Sequence, residues 1–322
     1  MENMSNDELR QFVEAESGGK QTVLYTFKGQ ASFFNVVERF NLEDLHPSPG
    51  TGPHPAFVVN GIVKDRIYIA TYQAVLRDGE AVSLPNQDPA TNIDFDQART
   101  ACLAAGPGFH LLTNWEWAAI ALWCAANGHD VHGNTNCSKS HSHPEEKGVR
   151  AARSYVTLTG SGPGSWRHDG TASGIADLVG NVWEWVDGLK LSGGEITMAL
   201  DNAFAAEESD WTKTGAVVTG TDGLALGGKI TRRGWSNKAF REVSASNGFE
   251  DAKFLKRAAL LPVEGVNLPG HYWADNSDGF EALPIRGGNW RDGSGAGLGA
   301  LILSGERSYS SSILGFRPAF IE

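Results

Sequence analysis

Apolar residues recur along this chain with two periods, and the change of period marks out its elements. In NDELRQFVEAE they return every three to four positions, which predicts a short helix over Asn6–Glu16 with Asn6 as its cap. QTVLYTFKG and ASFFNVVERF are rich in β-branched and aromatic residues on either side of a Lys-Gly pair, which predicts two strands and a turn. HPSPGTGPHP then interrupts every pattern. It is the best candidate boundary, leaving a small segment over residues 1–50 ahead of a domain over 51–322. In that domain, AFVVNGIVKDRIYIATYQAVL holds two β-rich runs about Asn60-Gly61, a pair suited to a hairpin turn. Two helices should follow, each opened by a capping box: Asp94 with Gln97, then Thr113 with Glu116, and both stop at Gly. The second carries Trp115, Trp117, Leu122 and Trp123, so it should be buried on more than one face. From Gly128 onward no long regular element is expected, only short apolar pieces between Gly, Asn, Asp and Ser turns. Two early helices followed by short strands and long loops define an α+β domain.

Composition narrows the function classes. The 322 residues carry a net charge of -11 without a run of Lys and Arg, which argues against a surface that tracks phosphates, so no nucleic-acid partner is expected. Three cysteines are too few for a disulfide framework, and Cys102 and Cys124 lie in apolar helical contexts as small buried hydrophobes. The N-terminal residues have no apolar core of signal-peptide length, and no apolar run is long enough to span a membrane. Synthesis in the cytoplasm without a signal peptide, and no membrane insertion, are the resulting expectations.

Candidate chemistry is sparse. GHDVHGNTNCSKSHSHPEE gathers His129, His132, Cys137, His141 and His143, which fit a transition metal or simply a solvated polar loop; no zinc-finger spacing is met. No nucleophile elbow, dinucleotide fingerprint or P-loop occurs, so no organic cofactor is implied. GIADLVGNVWEWVDG offers oxygens from Asp177, Asn181, Glu184 and Asp187 beside a Gly-Asn turn. That mixture suits a hard cation equally with a tight turn before a buried WEW strand.

The same stretch, followed by IRGGNW and GFRPAF, resembles the formylglycine-generating enzyme/sulfatase-modifying-factor family, a variant of the C-type lectin fold. The HPAFVVNGIVKDRIYIATYQA opening and the helix pair stand in the same order, so the resemblance covers roughly residues 53–322. It implies a C-type lectin-like α+β fold and a structural calcium held by the side chains of Asp177 and Glu184 and the carbonyls of Gly180 and Val182. The family's enzymes bind copper through cysteines near the C-terminus, whereas this chain has no Cys after Cys137, so a thiolate copper site has no ligands here. A copper- or iron-dependent oxidase with an altered site, through the His-rich loop, is the alternative reading.

A narrower resemblance concerns the close of the chain, GGNWRDGSGAGLGALILSGERSYSSSILGFRPAF. Its RGGNW and GFR brackets around a small-residue middle look like the variable proteins of diversity-generating retroelements, which display a hypervariable binding surface on this fold. In that family a reverse transcriptase misreads template adenines, so AAC codons become any codon ending in C. By position, the diversified residues over about 286–317 are Arg291, Asp292, Gly295, Ile302, Ser304, Gly305, Tyr309, Ser311, Ser312 and Ile313. All ten belong to the set that such codons encode. Trp290 and Phe316 are expected to lock the brackets into the core, with Arg286 and Arg317 holding carbonyls or carboxylates. The resemblance implies a non-enzymatic ligand- or receptor-binding protein whose partner is a protein or cell-surface ligand. The leading segment looks like the attachment part of phage-encoded variable proteins, implying a viral structural partner and a place on a virion or cell surface.

Overall fold

The computed structural model describes residues 4–46, 49–152, 154–220, 224–246, 249 and 252–322. The chain opens with helix α1 (Asn6–Glu16), strands β1 (Gln21–Tyr25) and β2 (Ala31–Glu38), the Asn60-Gly61 hairpin and strand β3 (Arg66–Ala70). A second hairpin over 74–83 leads to helix α2 (Phe95–Ala104), strand β4 (Phe109–Leu111) and helix α3 (Asn114–Ala126). A long irregular stretch ends at β5 (Trp183–Trp185), followed by β6 (Leu189–Ser192), β7 (Glu195–Met198), β8 (Thr212–Val218), β9 (Ala225–Gly227), β10 (Trp235–Ala239) and β11 (Ser244–Ala245). The last part contains β12 (His271–Asp275), β13 (Glu281–Gly287), β14 (Gly297–Gly305), β15 (Leu314–Phe316) and β16 (Pro318–Phe320).

Both capping boxes behind α2 and α3 form as expected. The cap of α1 is Ser5 rather than Asn6: the Ser5 hydroxyl accepts from Glu8 N, and Glu8 returns its carboxylate to Ser5 N at 2.7 Å. Asn6 is the first helical residue. Helix α3 is buried on nearly every face, and even Glu116 is enclosed, accepting from Thr113 N, Asn202 Nδ2 and the His110 ring at 2.9–3.0 Å. Asn60 and Gly61 both take positive φ, as the hairpin signal required.

Two sheets hold the molecule together. The smaller runs β1-β2-β3-β16-β4, so the chain's last strand lies between β3 and β4. Strand β2 pairs with β3 from Phe34↔Ala70 to Glu38↔Arg66. Residues 1–50 thus share a sheet with the domain after the Pro/Gly connector, which crosses between two parts of one hydrogen-bonded unit. The larger, eleven-stranded sheet runs β10-β12-β14-β13-β6-β7-β8-β9-β11, with β5 bridging β13 and β15 off that path. The expectation of only short pieces after Gly128 fails here, because β14 has nine residues. Its Gly- and Ala-rich sequence hides strand character that comes from pairing with β12 and β13 rather than from local propensity.

Gly287 and Gly288, at φ +93° and +98°, turn the chain out of β13. A Cβ on Gly288 would lie 2.3 Å from Ala296 Cβ. Gly288→Ala should therefore lower the unfolding free energy by about 1–3 kcal/mol, through steric conflict and a left-handed backbone that Ala resists. A denaturant midpoint unchanged from wild type would show that this turn is not closely packed.

Candidate ligand-binding surface and the polar node beneath it

The two sheets meet at an enclosed polar node. Glu184, on β5, and Arg317, between β15 and β16, are 1% and 0% exposed. Arg317 Nε and Nη2 donate to Glu184 Oε2 and Oε1 at 2.9 and 2.7 Å, a two-point fork that fixes both planes. Its other N–H groups reach Ala70 O, at the end of β3, and Ala176 O, both at 2.8 Å. Gln73 fills the remaining space. Its Nε2 lies 3.0–3.2 Å from Asp177 O, Val182 O and Glu184 Oε1, while its Oε1 accepts from Asn181 Nδ2 at 2.8 Å. Asn181 occupies φ +63° and turns its own Oδ1 toward Thr157 N and Asn134 Nδ2. The Asp177 carboxylate accepts from Gly160 N at 2.6 Å, and its pKa is raised because burial outweighs that bond and the nearby arginines.

This geometry bears on the expected calcium set. The Asp177 and Val182 carbonyls and the Glu184 carboxylate do converge, whereas the Asp177 carboxylate, the expected ligand, turns to Gly160 N, and Gly180 donates its N–H to Gly287 O at 3.2 Å. The point of convergence, however, is the Gln73 amide nitrogen, and Arg317 supplies the positive charge that Glu184 requires. Calcium takes six to eight oxygen ligands. An oxygen set centred on an N–H donor does not fit it. Gln73 gave no signal in the sequence, because its role depends on a loop more than a hundred residues away.

Near this node one sheet face passes from core to solvent. The register places Phe316, Trp185, Ile285, Ile302, Trp273 and Asn237 in a single row across β15, β5, β13, β14, β12 and β10. The first three are buried in the cluster that includes α2, with Phe95 edge-on to Trp185 at 5.8 Å. Ile302 and Trp273 are half-buried, and Asn237 is exposed. One step along, Trp235 pairs with Asp275 and is 59% exposed. On the opposite face Leu301, Leu303, Tyr272 and Ala274 face the main core.

The ten predicted variable positions fall on this face and on the loops at its rim. Arg291, Tyr309 and Ser312 are exposed; Asp292, Gly295, Ile302, Ser304, Ser311 and Ile313 are half-buried; Gly305 is buried. Gly295 and Ile302 lie beside Trp273, which meets Trp183 edge-on at 5.8 Å, and Ile313 packs against the same buried cluster. Asp292 accepts from Asn289 N and Nδ2 at 2.8 and 2.7 Å, and its pKa is raised, chiefly by burial. Gly305 faces inward: an added Cβ would meet Ile285 Cδ1 at 2.8 Å. Trp290 departs from its expected role, being half-buried at the surface against Tyr155, with ring centroids 5.1 Å apart, while Phe316 is fully enclosed. Arg286 holds Asn114 Oδ1 and the carbonyls of Ala258 and Ala259, and burial pulls its pKa down to about 9. Arg307, not singled out in the sequence, pins the 306–313 loop through Asp96 and Glu208 at 2.8 and 2.6 Å. Trp235, Asn237 and Trp273 were also missed. For Trp273 the signal was the period-two alternation of HYWAD, in which His271, Trp273 and Asp275 share the outer face; Trp235 and Asn237 join them only through the pairing of β10 with β12.

The chain belongs to the family described as sulfatase-modifying factor enzyme 1-like domain, whose model matches residues 3–256. Its α+β architecture is the C-type lectin-like fold of that family. None of the curated proteins matches by sequence. Among solved structures it is similar to the Major Tropism Determinant I1 variant at 14% identity and a TM-score of 0.34, covering 90% of this chain. This chain spans 56% of that protein's length. It is also similar to Treponema denticola variable protein 1 (13% identity, TM-score 0.37, 93% of this chain and 98% of that one). PvdO from Pseudomonas aeruginosa is similar at 13% identity and a TM-score of 0.41, with 94% and 98% covered.

Two measurements check the node. Glu184→Gln leaves Arg317 enclosed without its counter-charge and should cost about 3–5 kcal/mol in chemical denaturation. Wild-type protein treated with a calcium chelator should keep its melting midpoint, since Gln73 and Arg317 occupy Glu184 and the Val182 carbonyl and the Asp177 carboxylate is turned to Gly160 N. A midpoint that drops on chelation and returns with added calcium would reinstate the cation.

Proposed function

We propose that this chain is a non-enzymatic ligand- or receptor-binding protein whose C-terminal surface is diversified by a retroelement. The observation that carries this reading is the row from Phe316 to Asn237: one continuous sheet face, packed at one end and open at the other. Side chains at the open end can change while the packed end holds the backbone, the division of labour that loops over a rigid scaffold provide. Trp235, Trp273 and Tyr309 offer broad contact area at little rotamer cost, which suits a protein or cell-surface ligand. A buried site for a small substrate is not needed.

The family's oxidase chemistry finds little support in this chain. No thiol follows Cys137, and burial pushes the Cys102 and Cys124 thiols up, away from the thiolate that a soft metal needs. The reading requires no organic cofactor. The leading segment leaves Phe12 and Phe27 exposed, and we take it as the attachment side, toward a virus particle or a cell surface. In the genome, a near-copy of the 3′ coding region beside a reverse-transcriptase gene, differing at template adenines, is the expected counterpart.

The protein-level test replaces Arg291, Ser304, Tyr309 and Ser312 together, within the permitted codon set. Each should shift stability by no more than about 0.5 kcal/mol, while binding to the cognate ligand is redirected or lost. Phe316→Ala should cost about 3–5 kcal/mol by opening a cavity in the aromatic cluster. If the four-site variant melts as early as Phe316→Ala, the open end of the face is core and the display reading fails.

A further inference from the structure

Outside this surface and node, among the described residues, one cluster of side chains has the chemistry of a metal-binding site. The loop over 129–147 folds back on itself through Lys139↔Lys147 and through Ser140 N to Glu146 O. This brings His132, His143 and Glu146 together, with one potential ligand atom from each lying within 4.8 Å of the others. The two imidazoles are face to face, with centroids 3.9 Å apart and planes within 16°. His132 Nδ1 stands 2.9 Å from Glu146 Oε2, and His132 Nε2 is 3.4 Å from Asp130 Oδ2.

Each member is positioned by a partner from outside the trio. Trp166 Nε1 donates to Glu146 Oε2 at 2.9 Å, His132 N donates to Ser165 O, and Ser142 Oγ lies 3.0 Å from His143 Nδ1. Such outer contacts orient ligands in metal sites. Two imidazoles and one carboxylate, partly shielded from water, are the donor set that a borderline divalent ion prefers; calcium and magnesium prefer oxygen alone.

We propose that His132, His143 and Glu146 bind one divalent transition-metal ion, of which zinc(II) is the type. On binding, the proton shared between His132 Nδ1 and Glu146 leaves for solvent and the ion takes its place, the His143 ring turns out of the stack so that its in-plane lone pair meets the ion, and water fills the open coordination position. The site lies beside the display surface, because Cys137 N donates to Trp290 O and Gly293 N to Thr135 O. A bound ion would stiffen the loop on which Arg291 and Asp292 rest. The metal site itself does not depend on the display reading.

The test titrates purified, metal-free full-length chain with zinc chloride in a calorimeter, beside His143→Ala, Glu146→Gln and the control Cys137→Ser. Wild type and Cys137→Ser should take one zinc per chain at micromolar or tighter affinity. His143→Ala and Glu146→Gln should lose more than about 100-fold in affinity while melting, without zinc, where wild type melts. Wild-type affinity should also fall as the solution is made more acidic, because protons compete with the ion for the ligand nitrogens and oxygens. The assignment is overturned if wild type takes up no zinc, if both ligand variants bind as tightly as wild type, or if Cys137→Ser is the variant that loses binding.

Discussion

Everything in this fold hangs on one ion pair taken out of water. Arg317 belongs to the junction of two strands that enter different sheets, and Glu184 to the short strand beside the first of them. A guanidinium and a carboxylate in such a place are stable only if every N–H and lone pair finds a partner, since an unpaired buried charge costs several kcal/mol. The partners come from Ala70, Ala176 and Gln73, hence from segments far apart in sequence. The pair thus acts as a rivet between layers. Its two-point fork and fixed donors tie specific atoms of the two sheets together.

That arrangement explains what could be read in the sequence and what could not. Helix caps are local, so Asp94 with Gln97 and Thr113 with Glu116 were visible, and Ser5 was misplaced by only one residue. The hairpin at Asn60-Gly61 was equally local. The brackets of the C-terminal segment stood out because Arg beside aromatic residues and glycines marks tight turns against a packed core. Gln73 was invisible: nothing in its neighbours says that a single amide will face Asp177, Val182 and Glu184 together. Strand β14 was obscured for a related reason. Its Gly and Ala residues have poor strand propensity and are held extended by β12 and β13 on either side.

The split between Trp290 and Phe316 follows the same logic. Both flank the small-residue segment, and sequence alone offered no ground to treat them differently. Phe316 continues the row that includes Trp185 and Ile285, so it must point inward. Trp290 follows the Gly287-Gly288 turn, outside any strand, and its ring lies against Tyr155 on the surface while its carbonyl accepts from Cys137 N. It supports the neighbouring loop and leaves the core to Phe316.

Strand β14 also restricts how this protein can change over generations. From Leu301 to Ser304 its successive residues look in opposite directions, Leu301 and Leu303 toward the main core and Ile302 and Ser304 toward the open face. Replacing a residue on the open face leaves that division intact. Adding or removing a single residue would turn the leucines outward and the rim residues into the interior, because side chains in a strand alternate with period two. Heritable variety along this strand is therefore confined to exchanging letters, and its length is as fixed as the core itself.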